Sequence, residues 1–298
     1  MLNGLGATSL HLIDRQAVTF RAVDSTGLIT CFEIGATPSR IQFREVPSIG
    51  ELQPLGDSRG DAVDRGRFEN QERWSVLAAG GLTRARTLPA GHRSVRLGEL
   101  FRVRRGIATG ANSYFVMTRS RAKDLGLLRW CTPVITGATE IFHAGGEIRV
   151  TDDRRLLLAL PPNFDRYSSI AVLRYLIAGE SAKGGLPAVS QRFLCQSREP
   201  WWSVERPERA PLLVTYMARR PPAFVLNPDS MALLNIGHHL YPRSKYFDLQ
   251  RLVVMLNQQA PDMAGFGRTY QGGLEKFEPR ELAAIEIHVP EELLRGQA

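Results

Sequence analysis

The feature that most constrains this chain is its punctuation. Glycine and proline, 27 and 18 of them among 298 residues, repeatedly interrupt the apolar runs. The elements must therefore be short, and a core has to be assembled from many of them. Near the start, AVTFRAVDS, GLITCFEIG and SRIQFREV mix β-branched and aromatic residues with polar ones between Gly or Pro turns, which predicts a hairpin or meander. Pro47 to Gly66 is turn-rich and charged and reads as a connector. Residues 1–66 are accordingly expected to form one β-rich unit with its connector, and residues 67–298 a second domain.

Farther along, RFENQERWSVLAAGGLTRA can carry a short helix. SVRLGELFRVRRG reads as a short entry element followed by a strand, and SRAKDLGL opens a helix with Ser120 as its cap. RRLLLALPPNF is an apolar strand stopped by Pro161 and Pro162. SSIAVLRYLIAGESAKG predicts an amphipathic helix presenting Ile170, Leu173 and Ile177 on one face. PLLVTYM and AFVLN predict strands, FDLQRLVVMLNQQ a helix, and ELAAIEIHVP a helix that becomes a strand. This alternation assigns the chain to the α/β or α+β class.

A chain of this length can bury a full core, and no apolar run reaches the ~18 residues that a membrane span needs. The N-terminal MLNGLGATSLHLIDRQ lacks the early positive charge and apolar core of a signal peptide. Cys31, Cys131 and Cys195 are odd in number and far apart, which predicts neither a disulfide framework nor a zinc site and fits a reducing cytoplasm.

Charge narrows the partner. A net charge of +8 points to a polyanion. The basic residues are almost all arginine, whose planar fork suits phosphates and guanine edges. A GC-rich genome enriches arginine as well, so placement decides. Between Arg102 and Arg129 stand Arg102, Arg104, Arg105, Arg119, Arg121, Lys123 and Arg129 against Asp124 alone, which makes a local basic surface.

Several chemistries are excluded. Gly106 and Gly110 are followed by Ala111 and Asn112 and lack the Gly-Lys-Ser/Thr of a phosphate-binding loop; a dinucleotide fingerprint lacks its third glycine. His238 and His239 are adjacent, not four apart, and read as a polar contact or structural pair and not as a zinc site. No nucleophile motif surrounds any cysteine or serine. The acidic pair Asp152-Asp153 in TDDRR reads as a turn. LPPNF and RPPAF lack the Asp, Asn or Ser that opens the Asp/Asn/Ser-Pro-Pro-aromatic tetrad holding a flipped base, and each puts a residue between the prolines and the aromatic, so neither is read as catalytic.

Three segments occur in a telling order: RVRRGIATGANSYFVMTRSRAKDLGL, WWSVERPERAPLLVTYMARRPPAFVLNPDSMALLNIGHHLYP and LNQQAPDMAGFGRTYQGGLEKFEPRELAAIEIHVP. From about Arg73 to Pro290 the chain resembles the C-terminal target recognition region of bacterial restriction-modification N6-adenine DNA methyltransferases. The opening β-segments resemble the closing hairpin of the methyltransferase domain in such enzymes. The resemblance implies that the S-adenosylmethionine site and the catalytic tetrad lie upstream of this sequence. The chain would then hold no cofactor and no catalytic residue of its own, and would be a truncated piece or the specificity part of a split enzyme. It implies two partners, double-stranded DNA and a catalytic methyltransferase subunit carrying S-adenosylmethionine, and no membrane.

On that footing the candidate DNA contacts are Arg104, Arg105, Gly106, Thr109, Gly110 and Asn112 in the first segment. Tyr216, Arg219, Arg220, His238 and His239 follow in the second, and Arg268, Tyr270, Gly272, Gly273 and Lys276 in the third. Arginine and lysine would fix register on phosphates, and a few Arg or Asn side chains would read bases. Aromatics such as Tyr114, Phe115 and Tyr216 more often fill a core than stack on bases, and Lys276 with Glu275 and Glu278 can also form a solvated charged face. The alternative is a stand-alone RNA- or polyanion-binding protein without a methyltransferase partner. A metal-dependent nuclease is a third class, for which clustered carboxylates are wanting.

Overall fold

The computed structural model describes residues 6–13, 27–52, 60–69, 88–182, 184–204, 208–264, 266–270 and 274–294. It mixes short helices with several small sheets, in the α/β class to which the alternation of helical and strand segments points.

The first sheet corrects the expected hairpin. Leu28–Glu33 and Arg40–Val46 do not pair with each other; both add to Gly6–Ile13, antiparallel and parallel respectively. Gly6–Ile13 is the most deeply buried strand of the sheet, with Ala7 and Leu10 fully enclosed, so it takes an inner position and its neighbours line up on either side. AVTFRAVDS lies outside the described residues. Within the expected connector, Asp61–Asp64 is a strand on the free side of Arg40–Val46. Phe68, on the following short helix, closes this core with Ile41, Phe43 and Val63.

The central sheet runs Phe224–Leu226, Leu212–Thr215, Gly237–Pro242, Phe101–Arg105, antiparallel throughout. Period-2 alternation gives it two apolar faces. One, with Phe101, Leu212, Val214, Phe224 and Leu240, packs on Leu252, Val253 and Leu256 of helix Leu249–Gln259 and on Leu282 of helix Pro279–Ala284. The other, with Leu213, Val225 and Tyr241, packs on Ile135, Ile141 and Leu233. Helix Leu249–Gln259 also finishes two sheet edges. The Asn257 side chain accepts from Phe224 N–H at 2.9 Å and donates to its carbonyl at 2.8 Å, and Gln259 does the same for His288 at 2.9 and 2.8 Å. Paired in this way, an edge offers no free ladder to another chain.

A further sheet orders Ala232–Leu233, Cys131–Ile135, Leu156–Leu158 and Val116–Met117. Leu156–Leu158 is buried at all three positions, as its unbroken apolar run predicts. Helix Ile170–Gly179 covers this region and is capped by Ser169, but its inward face differs from the expected one. Val172, Tyr175, Leu176 and Gly179 are buried, whereas Ile170 and Ile177 are 68% and 49% exposed. Tyr175 and Tyr114 explain the rotation: each hydroxyl donates to the other's backbone carbonyl at 2.7 Å, and their rings stack at 4.5 Å. Helix Arg119–Asp124 begins one residue earlier than its expected cap: the hydroxyl of Thr118, not Ser120, accepts the Arg121 N–H.

Candidate nucleic-acid interface

Strand Phe101–Arg105 is the outer strand of the central sheet, and alternation sends its arginines two ways. Arg102 and Arg104 stand opposite Tyr241 and His239, and Arg105 stands opposite His238. The Arg102 guanidinium lies 4.6 Å from the Tyr241 ring centre and pairs with Glu208. Arg105 pairs with Glu278, beside the Tyr216 ring at 5.7 Å. Arg104 is exposed and makes no ion pair among the described residues. Three successive basic positions therefore have different electrostatic fates.

The glycine turn that follows is filled by the protein itself. Gly106 donates its N–H to the Gly237 carbonyl at 2.9 Å, and a Cβ there would sit 2.1 Å from the Leu234 carbonyl oxygen. Gly110 has a φ of 76°, and a Cβ on it would come 2.7 Å from the Leu194 Cβ. Arg198 donates to the Thr109 carbonyl at 2.7 Å, and the Cys195 thiol sits 3.6 Å from the same oxygen. The glycines thus serve close backbone packing, with Gly106 enclosed by the Leu234 and Gly237 backbone. Thr109 is likewise turned inward: it is buried, and its hydroxyl donates to Asn112 Oδ1 at 2.5 Å. Asn112 remains exposed at the end of the turn.

The second and third sequence segments meet at one point. Met217–Ala218 pairs with Leu274–Lys276, which forms a hairpin with Arg268–Tyr270. This brings the Tyr216 hydroxyl to 3.1 Å and the Lys276 ammonium to 2.9 Å from Glu278 Oε1, with Arg105 on Oε2. Burial pushes the Glu278 carboxyl up, but hydrogen bonds from Lys276, Arg105 and Tyr216 outweigh it and hold the pKa at about 2. The hydrogen bond that Lys276 donates to the Tyr216 hydroxyl oxygen, followed by that to Glu278, raises Lys276 above the usual lysine range. Glu275 is buried and accepts the Gly267 N–H at 2.8 Å, so the expected solvated charged face is an organised ion cluster. Arg268 is exposed and bound to Glu281 at 3.0 Å. Gly272 and Gly273 lie outside the described residues. Tyr270 is half-buried, Arg219 is exposed, and Arg220 is exposed with its guanidinium 5.5 Å from the Phe142 ring centre.

His238 and His239 lie inside the molecule, as a structural pair would. Both are buried in the central strand, where the Nε2–H of His238 donates to the Phe277 carbonyl at 2.6 Å. Burial depresses both rings, His239 to about 4, so they are neutral parts of the core at neutral pH.

Beyond the turn, Arg119, Lys123 and Arg129 are exposed and without an ion pair among the described residues, and Asp124 is 3.5 Å from the Ser120 hydroxyl. Glu208, Glu278, Cys195 and Arg198 are the residues that sequence reasoning missed. For the two acids the only signal was a charged residue in a turn-rich stretch.

The described residues contain no group of three or more metal-ligating side chains, and none of their helices is long and apolar enough to cross a membrane. Asp152-Asp153 forms the expected turn, with Asp153 accepting from the Thr151 hydroxyl at 2.6 Å.

The family model for the C-terminal domain of the type II methyltransferase M.Eco57I matches residues 71–297. The type II methyltransferase M.XamI of Xanthomonas campestris pv. amaranthicola is 33% identical over 96% of this chain and 52% of its own length. The type II methyltransferase M.AccI of Acinetobacter calcoaceticus is 28% identical over 61% of this chain and 34% of its own. The chain thus spans about half of the first relative and a third of the second. Among solved structures, the type IIG restriction endonuclease BpuSI aligns with 97% of this chain and 37% of its own at 13% identity and a TM-score of 0.43. By its sequence, this chain belongs to the family of the type II methyltransferase M.Eco57I C-terminal domain.

Proposed function

We propose that this chain is the target recognition part of a site-specific N6-adenine DNA methyltransferase. It holds double-stranded DNA for base flipping and methylation by a catalytic unit that binds S-adenosylmethionine. One observation carries the reading: Arg104, Arg119, Lys123 and Arg129 are exposed and lack an ion pair among the described residues, in a stretch with one acidic residue. Cations not already matched by carboxylates release counterions when they meet a phosphate backbone, which is the main source of duplex affinity. Membership in a methyltransferase family supplies the chemistry that such binding serves.

Arg104, Arg119, Lys123 and Arg129 contact phosphate and set the register, while the exposed Asn112, Arg219 and Arg220 reach base edges or further phosphates. Asn pairs bidentately with adenine and Arg with guanine in the major groove.

The test is competition for a labelled duplex followed by selection from a random duplex library. Unlabelled duplex should displace the probe far better than single strands of the same composition, and selection should enrich one adenine-containing sequence. Equal competition by single strands, or no enriched sequence, refutes the reading in favour of general polyanion binding.

A further inference from the structure

Three donors from three separate segments converge on one carboxylate. Arg105 ends the outer strand of the central sheet, Tyr216 follows Leu212–Thr215, and Lys276 closes the Arg268–Lys276 hairpin. All three bind Glu278, Tyr216 and Lys276 on Oε1 and Arg105 on Oε2. The two cations also flank the Tyr216 ring, at 5.7 and 5.2 Å. One carboxylate thus faces two cations directly, with Glu275 turned to the Gly267 N–H and Arg268 paired with Glu281 alongside.

The cluster is most exposed on the Arg105 side. Side-chain exposure is 52% for Arg105, 21% for Lys276 and 16% for Glu278. Glu278 is also tied in by its backbone, whose N–H donates to Glu281 Oε2 at 3.1 Å as helix Pro279–Ala284 begins. Its oxygens present one negative charge and two acceptors to a fork and an ammonium. A phosphodiester presents the same charge and the same number of non-bridging acceptors.

We propose that Arg105, Lys276 and Tyr216 form a phosphate subsite in which Glu278 is the resident stand-in, displaced by a backbone phosphate when duplex DNA binds. The inference rests on the DNA-reading function proposed above and adds a second class of contact to it. The cations without ion pairs bind at once, whereas this site engages only a phosphate placed well enough to replace the carboxylate. Glu278 is ionised throughout the neutral range, so it competes as a full charge. A poorly seated duplex leaves the subsite closed, and the site thereby favours correct register.

The experiment measures duplex affinity against salt for the full chain and for Glu278→Gln, with Arg104→Ala in parallel. Glutamine still accepts from Tyr216 and Lys276 but removes the competing charge. Glu278→Gln should bind duplex several-fold more tightly because no carboxylate has to be displaced, while its log-log salt slope stays within about 0.9 of the unaltered chain's, since the same phosphates are contacted. Adding Arg105→Ala to Glu278→Gln should abolish much of that gain. Unchanged affinity in a folded Glu278→Gln protein overturns the inference. Where Glu278→Gln does not fold, Arg105→Ala alone decides: a shallower slope upholds the subsite, and an unchanged one overturns it. The two proposals fail separately. Salt-dependent duplex binding that is weakened by Arg104→Ala but indifferent to Glu278→Gln defeats the subsite alone, whereas no salt-dependent duplex binding by the unaltered chain defeats the function itself.

Discussion

Replacing Arg104 by alanine tests the proposed interface at its most exposed assumption. Its neighbours Arg102 and Arg105 are paired with Glu208 and Glu278, while Arg104 has no ion pair among the described residues. A cation that neutralises one duplex phosphate contributes about 0.9 to the slope of log affinity against log salt. Four such cations, Arg104, Arg119, Lys123 and Arg129, supply about 3.6, which weakens binding about 150-fold between 50 and 200 mM salt. Arg104→Ala should lower the slope by about 0.9, so its penalty is largest at low salt and shrinks about 3.5-fold over that range. The assay is fluorescence anisotropy of a labelled duplex at five or so salt concentrations. Arg166→Ala is the control, since Arg166 is already bound to both oxygens of Glu180 at 2.9 and 3.4 Å. Both variants lose one unit of net charge. Equal slopes for the two would mean that overall charge, and not an unmatched cation at a defined place, governs binding, and the argument from ion pairing would be refuted.

Other consequences concern the scaffold that holds this surface. Because burial depresses the His239 pKa to about 4, from a usual 6.5, the unfolded chain binds this proton first. Stability is therefore full above pH 6.5 and falls by about 3 kcal/mol as pH drops to 4. Thermal unfolding between pH 7 and 4 should show the fall, and His239→Gln should flatten it; an identical fall in the variant would assign the titration elsewhere. Gly106→Ala would place a Cβ 2.1 Å from the Leu234 carbonyl oxygen, and the backbone shift should cost about 1–3 kcal/mol in denaturant unfolding. An unchanged midpoint would show that the turn gives way freely. Asn257→Ala leaves the Phe224 N–H and carbonyl of an edge strand without their partners and should cost about 1–3 kcal/mol, read in the same way. A loss below about 0.5 kcal/mol, the scale of an ordinary surface substitution, would mean that water replaces the amide without penalty.

Local pattern carried what local physics controls. The strand into the glycine turn, the buried Leu156–Leu158 run, the Ser169 cap and the helix-to-strand passage near Ile285 are all set by neighbours within a few residues. Where the outcome depended on distant partners, the pattern failed. Ile170 and Ile177 form a plausible apolar stripe, yet Tyr175 is turned inward by hydrogen bonds with Tyr114, 61 residues away. GATSLHLI passed as an undistinguished N-terminus although it is the inner strand on which its neighbours assemble. Gly106 looked like an opening for a ligand because the carbonyls that fill the space belong to residues 234 and 237.

The same limit explains why counting arginines could mark a basic surface without finding which of its members go unpaired. Arg102, Arg104 and Arg105 are nearly indistinguishable in sequence, but strand parity sends the first two to one face and the third to the other. Each face then meets a different acid: Glu208, 106 residues from Arg102, and Glu278, 173 residues from Arg105. No acid meets Arg104 among the described residues. A net charge fixes only the sum, whereas binding to phosphate depends on which cations the fold leaves unmatched and which it matches with a displaceable anion. In this chain that distinction is made by contacts between residues far apart in sequence, Arg102 with Glu208 and Arg105 with Glu278, so the proposed interface and the fold are specified by the same contacts.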